Sequence, residues 1–174
     1  VWQENGEIQV VVKENGKKKV LKGSHLLIAA GRRPNSGDIG LEKAGIATDE
    51  RGFIQVDDHC RTTVDGVFAV GDVNGRGAFT HTAVNDAEIV LDHLYDGKRK
   101  LSDRIPIYAL FTDPPLGRVG LSEKEALSAG HRVLRAKHPM SAISRAKEMG
   151  ETRGFAKLLV DADTDHILGA AILG

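Results

Sequence analysis

Cysteine is nearly absent from this sequence, because Cys60 is the only one among 174 residues. A single thiol excludes an internal disulfide framework and a CxxC metal or redox pair, and it favours a reducing, cytoplasmic compartment. An excess of one charge sign is also absent, since 24 basic residues balance 24 acidic ones. A chain with no net positive charge is a poor nucleic-acid binder, so we expect no nucleic-acid partner. Long apolar runs are missing too, and none reaches the roughly 18 residues of a membrane span, so we expect no membrane association.

The composition that remains is that of a folded chain, with 41% hydrophobic and 28% charged residues. The sequence begins at Val1, has no methionine before Met140, and stops within the apolar run 167–174. We therefore expect a fragment of a longer protein.

The first thirty residues show the pattern of a β-meander. Asn5-Gly6 and Asn15-Gly16 separate short β-rich runs, and Asn-Gly favours the positive φ angles of tight hairpins. Residues 26–30 are apolar throughout, which predicts a strand buried on both faces that ends at Gly31.

The middle of the chain has an α/β pattern. Residues 41–45 predict a helical turn, 53–56 a short strand, and 67–70 a buried strand that ends in Gly71-Asp72. A helix is predicted over about 80–95, with one apolar face. That face comprises Ala83, Ala87, Val90, Leu91 and Leu94.

The polar run 96–103 is the best candidate for a linker. Beyond it the pattern becomes α+β, with strands at 105–111 and 131–137 and a hairpin formed by 155–160 and 167–173. Ser122 and Glu125 have the spacing of a capping box, which predicts a short helix.

The strongest candidate for a binding site is the end of the predicted strand 67–70. Ligands bind at this edge in open α/β sheets, and a glycine there lets a ligand approach the backbone. The carboxylate of Asp72 only accepts hydrogen bonds, which suits the hydroxyls of a polyol. Asp72 could instead merely cap the next turn, and the strand composition does not separate these alternatives.

The glycine-rich loop 75–79 leads into the predicted helix. Backbone N–H groups and the positive end of the helix dipole would favour an electron-rich ligand atom there. A GxGxxG dinucleotide motif starting at Gly75 fails, because Thr80 occupies the position of the third glycine.

No metal site is expected. Asp161, Asp163 and Asp165 imitate the start of a calcium loop, but His166 stands where the loop needs glycine and Ile172 where it needs glutamate. A hairpin turn is the better interpretation of these aspartates. Cys60 has no nearby base or second cysteine in the sequence, which favours a small semi-buried apolar role.

Four segments together resemble the class I flavin-dependent pyridine nucleotide-disulfide oxidoreductases, including the dihydrolipoamide dehydrogenase and mercuric-reductase-like members. The segments are 27–35, 63–72, 111–121 and 144–147, and they follow the order and approximate spacing of that family. The resemblance implies an α/β fold made of parts of two Rossmann-like FAD- and NAD(P)-binding domains. The first half of an α+β dimerisation domain with an antiparallel sheet would follow. Its boundaries would be 1–34 for the end of the NAD(P)-binding domain, 35–102 for the C-terminal part of the FAD-binding domain, and 103–174 for the dimerisation domain.

The resemblance also implies cofactors and site residues. FAD and NAD(P) are the implied cofactors, and the longer protein would be a homodimer that uses a small-molecule disulfide or related acceptor. Asp72, after Gly71, would hold the flavin ribitol, and Gly31 would line the nicotinamide-nucleotide cleft. Four residues would lie along the isoalloxazine and ribityl end: Ala78, Phe79, Thr80 and His81.

The departures from the family pattern concern its chemical machinery. Neither GxGxxG motif, nor the redox-active CxxxxC pair, nor the HxxxxE acid–base dyad occurs in these residues. We therefore assign no catalytic residue, and we expect the longer protein to be an FAD-dependent NAD(P)H-disulfide oxidoreductase while this fragment alone is inactive. The alternative is a non-catalytic dimerisation or binding scaffold that has lost its redox centres.

Overall fold

The chain forms two units in the computed structural model, which describes all 174 residues. The first unit is Val1–Pro34 and the second is Asn35–Gly174. The division falls where the sequence placed its first domain boundary. The assignment of these segments to nucleotide- and flavin-binding domains stays a prediction.

The first unit contains the predicted β-meander. Strands β1 (Trp2–Glu4), β2 (Glu7–Glu14) and β3 (Lys17–Gly23) form an antiparallel sheet in that order. Asn5 and Asn15 have φ angles of 52° and 48°, and the glycine after each has 81°. The positive φ angles that Asn-Gly tolerates therefore define both turns, and the meander is confirmed.

The predicted buried strand over residues 26–30 is wrong for this structure. These residues form no strand, and the side chains of Leu27 and Ile28 are 89% and 78% exposed. A central strand needs hydrogen-bonding neighbours on both sides, and no segment of the chain pairs with this one. Apolar composition alone does not create a strand without such partners.

The second unit begins with turns packed around a small core. The predicted helical turn is a 3-10 helix at Leu41–Ala44, and Gly45 follows it with a φ of 75°. The predicted strands 53–56 and 67–70 are wrong, because each makes only one isolated bridge, Thr48 to Ile54 and Arg61 to Phe68. Leu41, Ile54 and Ala69 nevertheless form the buried cluster, so these segments supply the core without forming a sheet.

Helix α1 (Thr80–Leu94) is confirmed within one residue, but its apolar face does not carry its fully buried residues. The buried residues are Asp86 and Ile89, whereas Leu91 and Leu94 are 57% and 59% exposed. The helix has apolar residues on more than one side, so periodicity does not decide which side packs. The carboxylate of Asp86 in α1 points inward instead and accepts from the N–H of Gly71, which precedes the helix.

The predicted linker is not a free connector. Its residue Leu101 donates its backbone N–H to the Asp58 carbonyl at 2.9 Å, and the Ser102 hydroxyl donates to the Asp58 carboxylate at 2.6 Å. The N–H of Arg99 donates to the Asp92 carboxylate at 2.8 Å. Acceptors in the preceding segment therefore hold the linker in place.

The rest of the chain forms a five-stranded antiparallel sheet, as the predicted dimerisation fold requires. Helices α2 (Glu123–Ser128) and α3 (Ser144–Met149) connect its strands, and α2 begins with the predicted capping box. The short strand β5 was not predicted, because two glycines interrupt its apolar pattern. From edge to edge the strands are β4 (Ile107–Leu110), β5 (Leu116–Gly120), β8 (Ile167–Leu173), β7 (Phe155–Asp161) and β6 (Val133–Pro139).

Candidate cofactor-binding site

The predicted site begins at a short turn, not at the end of a strand. Gly71–Asn74 form a 3-10 helix that follows residue 70 directly. Gly71 has a φ of 77°, and a Cβ atom added there would lie 3.3 Å from Cβ of Ala83 in α1. The close approach that the structure shows at Gly71 is therefore the packing of α1 against the turn, while contact with a ligand stays a prediction.

Asp72 is the second residue of this turn and is half-buried. The carbonyl of Asp72 accepts from the N–H of Gly75 at 3.2 Å, and the carbonyl of Val73 accepts from the N–H of Ile54 at 2.9 Å. The backbone that carries Asp72 is thus fixed both within the turn and against the core.

Sequence reasoning missed Asp86, which holds the turn against α1. The residue is 1% exposed, and its carboxylate accepts from the Gly71 N–H at 2.8 Å and from Nδ2 of Asn74 at 2.8 Å. It also forms an ion pair with Arg104, whose Nε donates to Asn85 at 2.8 Å. The sequence offered one indication of this role, because Asp86 lies within the predicted helix 80–95 and is followed by Ala87 of the apolar face.

The four residues predicted along the flavin lie at the start of α1. Ala78, Phe79, Thr80 and His81 are all exposed. Phe79 precedes the helix in an extended conformation, and its N–H donates to the Thr82 hydroxyl at 3.2 Å. The first N–H groups of a helix have no acceptor within it, so this end of α1 presents donors and a partial positive charge.

Aromatic rings connect the start of α1 to strand β4. The ring of Phe79 stacks on His81 with centroids 5.4 Å apart and on Tyr108 with centroids 5.8 Å apart. Nε2 of His81 lies 2.7 Å from the Ile107 carbonyl oxygen. A cavity of about 830 Å³ opens here, lined in part by Arg76, Phe79, His81, Arg104 and Tyr108.

The structure brings most of the predicted site residues into one unit. The turn with Gly71 and Asp72 packs on α1, and the predicted segment 78–81 runs into the start of this helix at Thr80. Gly31 belongs to the first unit, where it is exposed and has a φ of 104°. The proximity of Gly71 and Asp72 to helix α1 is therefore an observation, and the role of Gly31 rests on the resemblance alone.

The chemistry of this arrangement fits a flavin. The Asp72 carboxylate suits polyol hydroxyls, and the donors at the start of α1 suit an electron-rich ring edge. Thr80 and His81 are exposed, which leaves the helix end accessible to a ligand. The residues present therefore fit the part of FAD that the resemblance implies.

Cys60 does not offer redox chemistry in this structure. The thiol is fully buried, and burial raises its pKa to about 11. Because the thiolate is the reactive form, such a thiol is inert at neutral pH. The sequence predicted a semi-buried thiol, and the structure buries Cys60 completely.

The aspartates that imitate a calcium loop form the predicted hairpin turn between β7 and β8. The Asp161 carboxylate accepts from the Asp163 N–H at 2.8 Å and lies 2.6 Å from Nδ1 of His131. Asp163 pairs with Arg132 at 2.6 Å. No group of three or more His, Cys, Asp or Glu side chains is placed to hold a metal ion, and no helix has the length and apolarity to cross a membrane.

Comparison with known proteins identifies the family. Residues 2–87 match the model for the pyridine nucleotide-disulphide oxidoreductases, and residues 107–174 match the dimerisation domain of the same proteins. The chain belongs to the pyridine nucleotide-disulphide oxidoreductase family. The predicted resemblance and the fold class are thereby confirmed.

Individual members of this family cover most of the chain. The probable pyridine nucleotide-disulfide oxidoreductase RclA of Escherichia coli is 44% identical over 150 residues, which are 85% of this chain and 34% of that protein. The dihydrolipoyl dehydrogenase of Thermus scotoductus is 38% identical over 161 residues, which are 92% of this chain and 35% of that protein. The chain therefore spans about a third of the length of these relatives.

Solved structures of the family agree with this fold. The HOCl-induced flavoprotein disulfide reductase RclA from Escherichia coli matches with a TM-score of 0.84 and 40% identity. That match covers 98% of this chain and 39% of the solved chain. The fold of this chain is therefore similar to that of this solved family member.

Proposed function

We propose that the full-length protein containing this chain is a flavoprotein oxidoreductase. It passes electrons from NAD(P)H through FAD to a redox-active disulfide, and from there to a disulfide-type acceptor. The observation that carries this proposal is the turn Gly71–Asn74, which presents Asp72 beside the first turn of α1. Membership of the pyridine nucleotide-disulphide oxidoreductase family supports it.

The cofactor roles follow from the chemistry of this turn and helix. FAD, when bound, supplies a reversible carrier of two electrons. Asp72 accepts hydrogen bonds from the ribityl hydroxyls, and the N–H groups at the start of α1 stabilise the electron-rich end of the ring system. Gly31 lines the nicotinamide-nucleotide cleft in the same proposal. The exposed residues that lie along the isoalloxazine and ribityl end are Ala78, Phe79, Thr80 and His81.

The domain layout belongs to the same proposal. Residues 1–34 end the NAD(P)-binding domain, 35–102 complete the FAD-binding domain, and 103–174 begin the dimerisation domain. The five-stranded antiparallel sheet lies within the last segment and supports a homodimer. A reducing, cytoplasmic location is in keeping with the single thiol.

Catalysis itself is assigned to residues outside this chain. Cys60 is buried with a pKa of about 11, so it does not serve as the redox thiol. An intact CxxxxC pair elsewhere in the full-length protein would support the proposed oxidoreductase activity. The second candidate is a non-catalytic scaffold without redox centres, which the absence of any cysteine pair in these residues favours.

Asp72→Ala in the full-length protein tests the cofactor site. A hydrogen bond to a charged group contributes about 1.5–3 kcal/mol. The Kd of the variant for FAD should therefore be about 10- to 100-fold higher than that of the wild type. FAD content and Kd are measured by flavin absorbance and fluorescence after reconstitution of the apoprotein. Asp38→Ala, at an exposed position of the same unit, is the matched control and should bind FAD normally.

One result tests the role of Asp72, and another separates the oxidoreductase from the scaffold. If Asp72→Ala retains flavin as tightly as the wild type, Asp72 is removed from the site. NAD(P)H oxidation coupled to a small disulfide such as lipoamide identifies the enzyme. A flavin-loaded full-length protein that lacks this activity with every disulfide tested, and that carries no cysteine pair, is the scaffold.

A further inference from the structure

Asp86 is a buried charged group that the proposed electron path does not use. Burial of a carboxylate costs several kcal/mol unless partners compensate it. The compensation here comes from Arg104, which is itself largely buried, and from two further donors. An apolar pair of similar volume would pack this position without that cost, so the retained carboxylate calls for a specific explanation.

The hydrogen bonds of Asp86 supply that explanation. One carboxylate oxygen, Oδ2, accepts from the N–H of Gly71 and from Nδ2 of Asn74, both at 2.8 Å. These two residues are the first and last of the 3-10 turn, and Asp72 lies between them. Oδ2 of Asp86 therefore binds both ends of the turn that carries Asp72, the residue proposed to bind FAD.

The other carboxylate oxygen connects the turn to the segment before β4. Oδ1 of Asp86 pairs with the Arg104 guanidinium, and Nε of Arg104 donates to Oδ1 of Asn85 at 2.8 Å. The guanidinium thus holds two neighbouring residues of α1. Rotation of the Asp86 side chain away from the turn would break this pair as well.

We propose that Asp86, held by Arg104, is a positioning residue for the FAD site. It sets where the Asp72 carboxylate lies relative to the first turn of α1, so that both contact one flavin. This inference rests on the proposed function. An apolar residue at position 86 could fill the space, but it could not accept hydrogen bonds from Gly71 and Asn74.

The test uses the full-length protein and the Kd for FAD. Asp86→Leu with Arg104→Met removes the charges together and leaves the turn without its acceptor. We expect the Kd to rise at least about tenfold, since misplacement of a binding group costs about as much as its loss. Asp86→Asn with Arg104→Gln also removes the charges but keeps an oxygen that can accept from the turn. We expect that variant to stay within about threefold of the wild type.

A matched control separates positioning from general loss of stability. Asp161, the last residue of β7, is another buried carboxylate, and it pairs with His131, which precedes β6. Asp161→Leu with His131→Met should lower the thermal unfolding temperature without raising the Kd for FAD. An equal rise of the Kd in this control would show that loss of stability alone weakens FAD binding.

The decisive comparison introduces Asp86→Leu with Arg104→Met into the Asp72→Ala protein. If Asp86 acts through Asp72, the added substitutions raise the Kd there by less than about twofold. If the effects of Asp72→Ala and of Asp86→Leu with Arg104→Met on the Kd multiply, the proposal is overturned. It is also overturned if Asp86→Leu with Arg104→Met leaves the Kd unchanged while Asp72→Ala alone raises it. The proposed function stands in both cases. An unchanged Kd in Asp72→Ala itself also overturns the proposal and removes Asp72 from the FAD site, while NAD(P)H oxidation tests the proposed activity separately.

If the protein with Asp86→Leu and Arg104→Met does not fold, a milder variant is used in its place. Asn74→Ala leaves the Asp86–Arg104 pair intact and removes one of the two bonds to the turn. We expect a Kd at least about threefold higher, and no further rise in the Asp72→Ala background. A Kd equal to that of the wild type contradicts the proposal.

Discussion

Glu125 shows how local chemistry determines the behaviour of a single residue. Its carboxylate accepts from the Ser122 N–H at 2.6 Å and from Arg118 at 3.0 Å, while the Ser122 hydroxyl accepts from the Glu125 N–H at 3.2 Å. Hydrogen bonds from Ser122, followed by that from Arg118, lower the pKa of Glu125 to about 2 from 4.5. Protonation of Glu125 is therefore unfavourable in the folded state.

The lowered pKa predicts a pH dependence of stability. A carboxylate with a depressed pKa stabilises the fold above its unfolded value, so this contribution is complete above about pH 4.5 and is lost as the pH falls toward 2. Glu125→Gln should lower the free energy of unfolding at pH 7 by less than about 1 kcal/mol, because the side chain is exposed. The difference from the wild type should vanish near pH 2.

Urea denaturation followed by far-UV circular dichroism at several pH values measures this difference. Glu151→Gln is the control, since Glu151 is exposed and lies outside the capping box. A constant difference between Glu125→Gln and the wild type from pH 7 to pH 2 would falsify the assignment of this pH dependence to Glu125.

At the scale of elements, strand β5 depends on its glycines unequally. Gly120 has a φ of 71°, and a Cβ atom added there would overlap with the carbonyl oxygen of Leu168. Gly117, in the same strand, has no atom within 4 Å of an added Cβ. The two positions therefore form a matched pair.

Gly120→Ala should destabilise the sheet strongly, and Gly117→Ala should not. A left-handed φ and a backbone overlap each cost about 1–3 kcal/mol, so we expect a loss of at least about 2 kcal/mol at Gly120. Gly117→Ala should change the free energy of unfolding by less than about 0.5 kcal/mol. Denaturant titration measures both values, and equal losses at the two positions would contradict the role of the Gly120 contact.

Elements also show where sequence patterns mislead. Residues 26–30 and 67–70 have the composition of buried strands, but neither forms one in this structure. Helix α1 has the expected length, yet its buried face is centred on Asp86 and Ile89. Composition describes what a segment can bury, while its conformation and orientation depend on its partners.

The whole molecule exposes large apolar side chains in both units. Leu27 and Ile28 are 89% and 78% exposed in the first unit, and Tyr95 and Phe111 are 84% and 98% exposed in the second. Exposed apolar groups of this size favour association with other surfaces. The full-length family members are about three times longer than this chain, which offers additional surface for such contacts.

We therefore predict that the isolated 174-residue chain self-associates or unfolds without sharp cooperativity. Size-exclusion chromatography with light scattering measures the association, and a hydrophobic dye reports the exposed surface. Leu27→Ser with Ile28→Ser should reduce both signals relative to the unaltered chain. A sharp, reversible unfolding transition of a monomer would contradict this prediction.

Features that depend on neighbouring residues could be predicted from the sequence. The Asn-Gly turns of the meander, the length of α1, the Ser122 capping box and the β7–β8 hairpin were all predicted, because short-range φ preferences and side-chain caps encode them. The order of family motifs also led to the fold class and to Asp72 as the candidate flavin ligand.

The surroundings of Asp72, by contrast, depend on how distant segments pack. Asp86 and Arg104 are 18 residues apart, and their pairing and the hydrogen bond from Gly71 form only when α1 packs on the turn. The failed strands have the same cause, since a strand needs hydrogen-bonding partners that are distant in sequence. Local propensity cannot encode such pairings, because they depend on which segments meet when the chain folds.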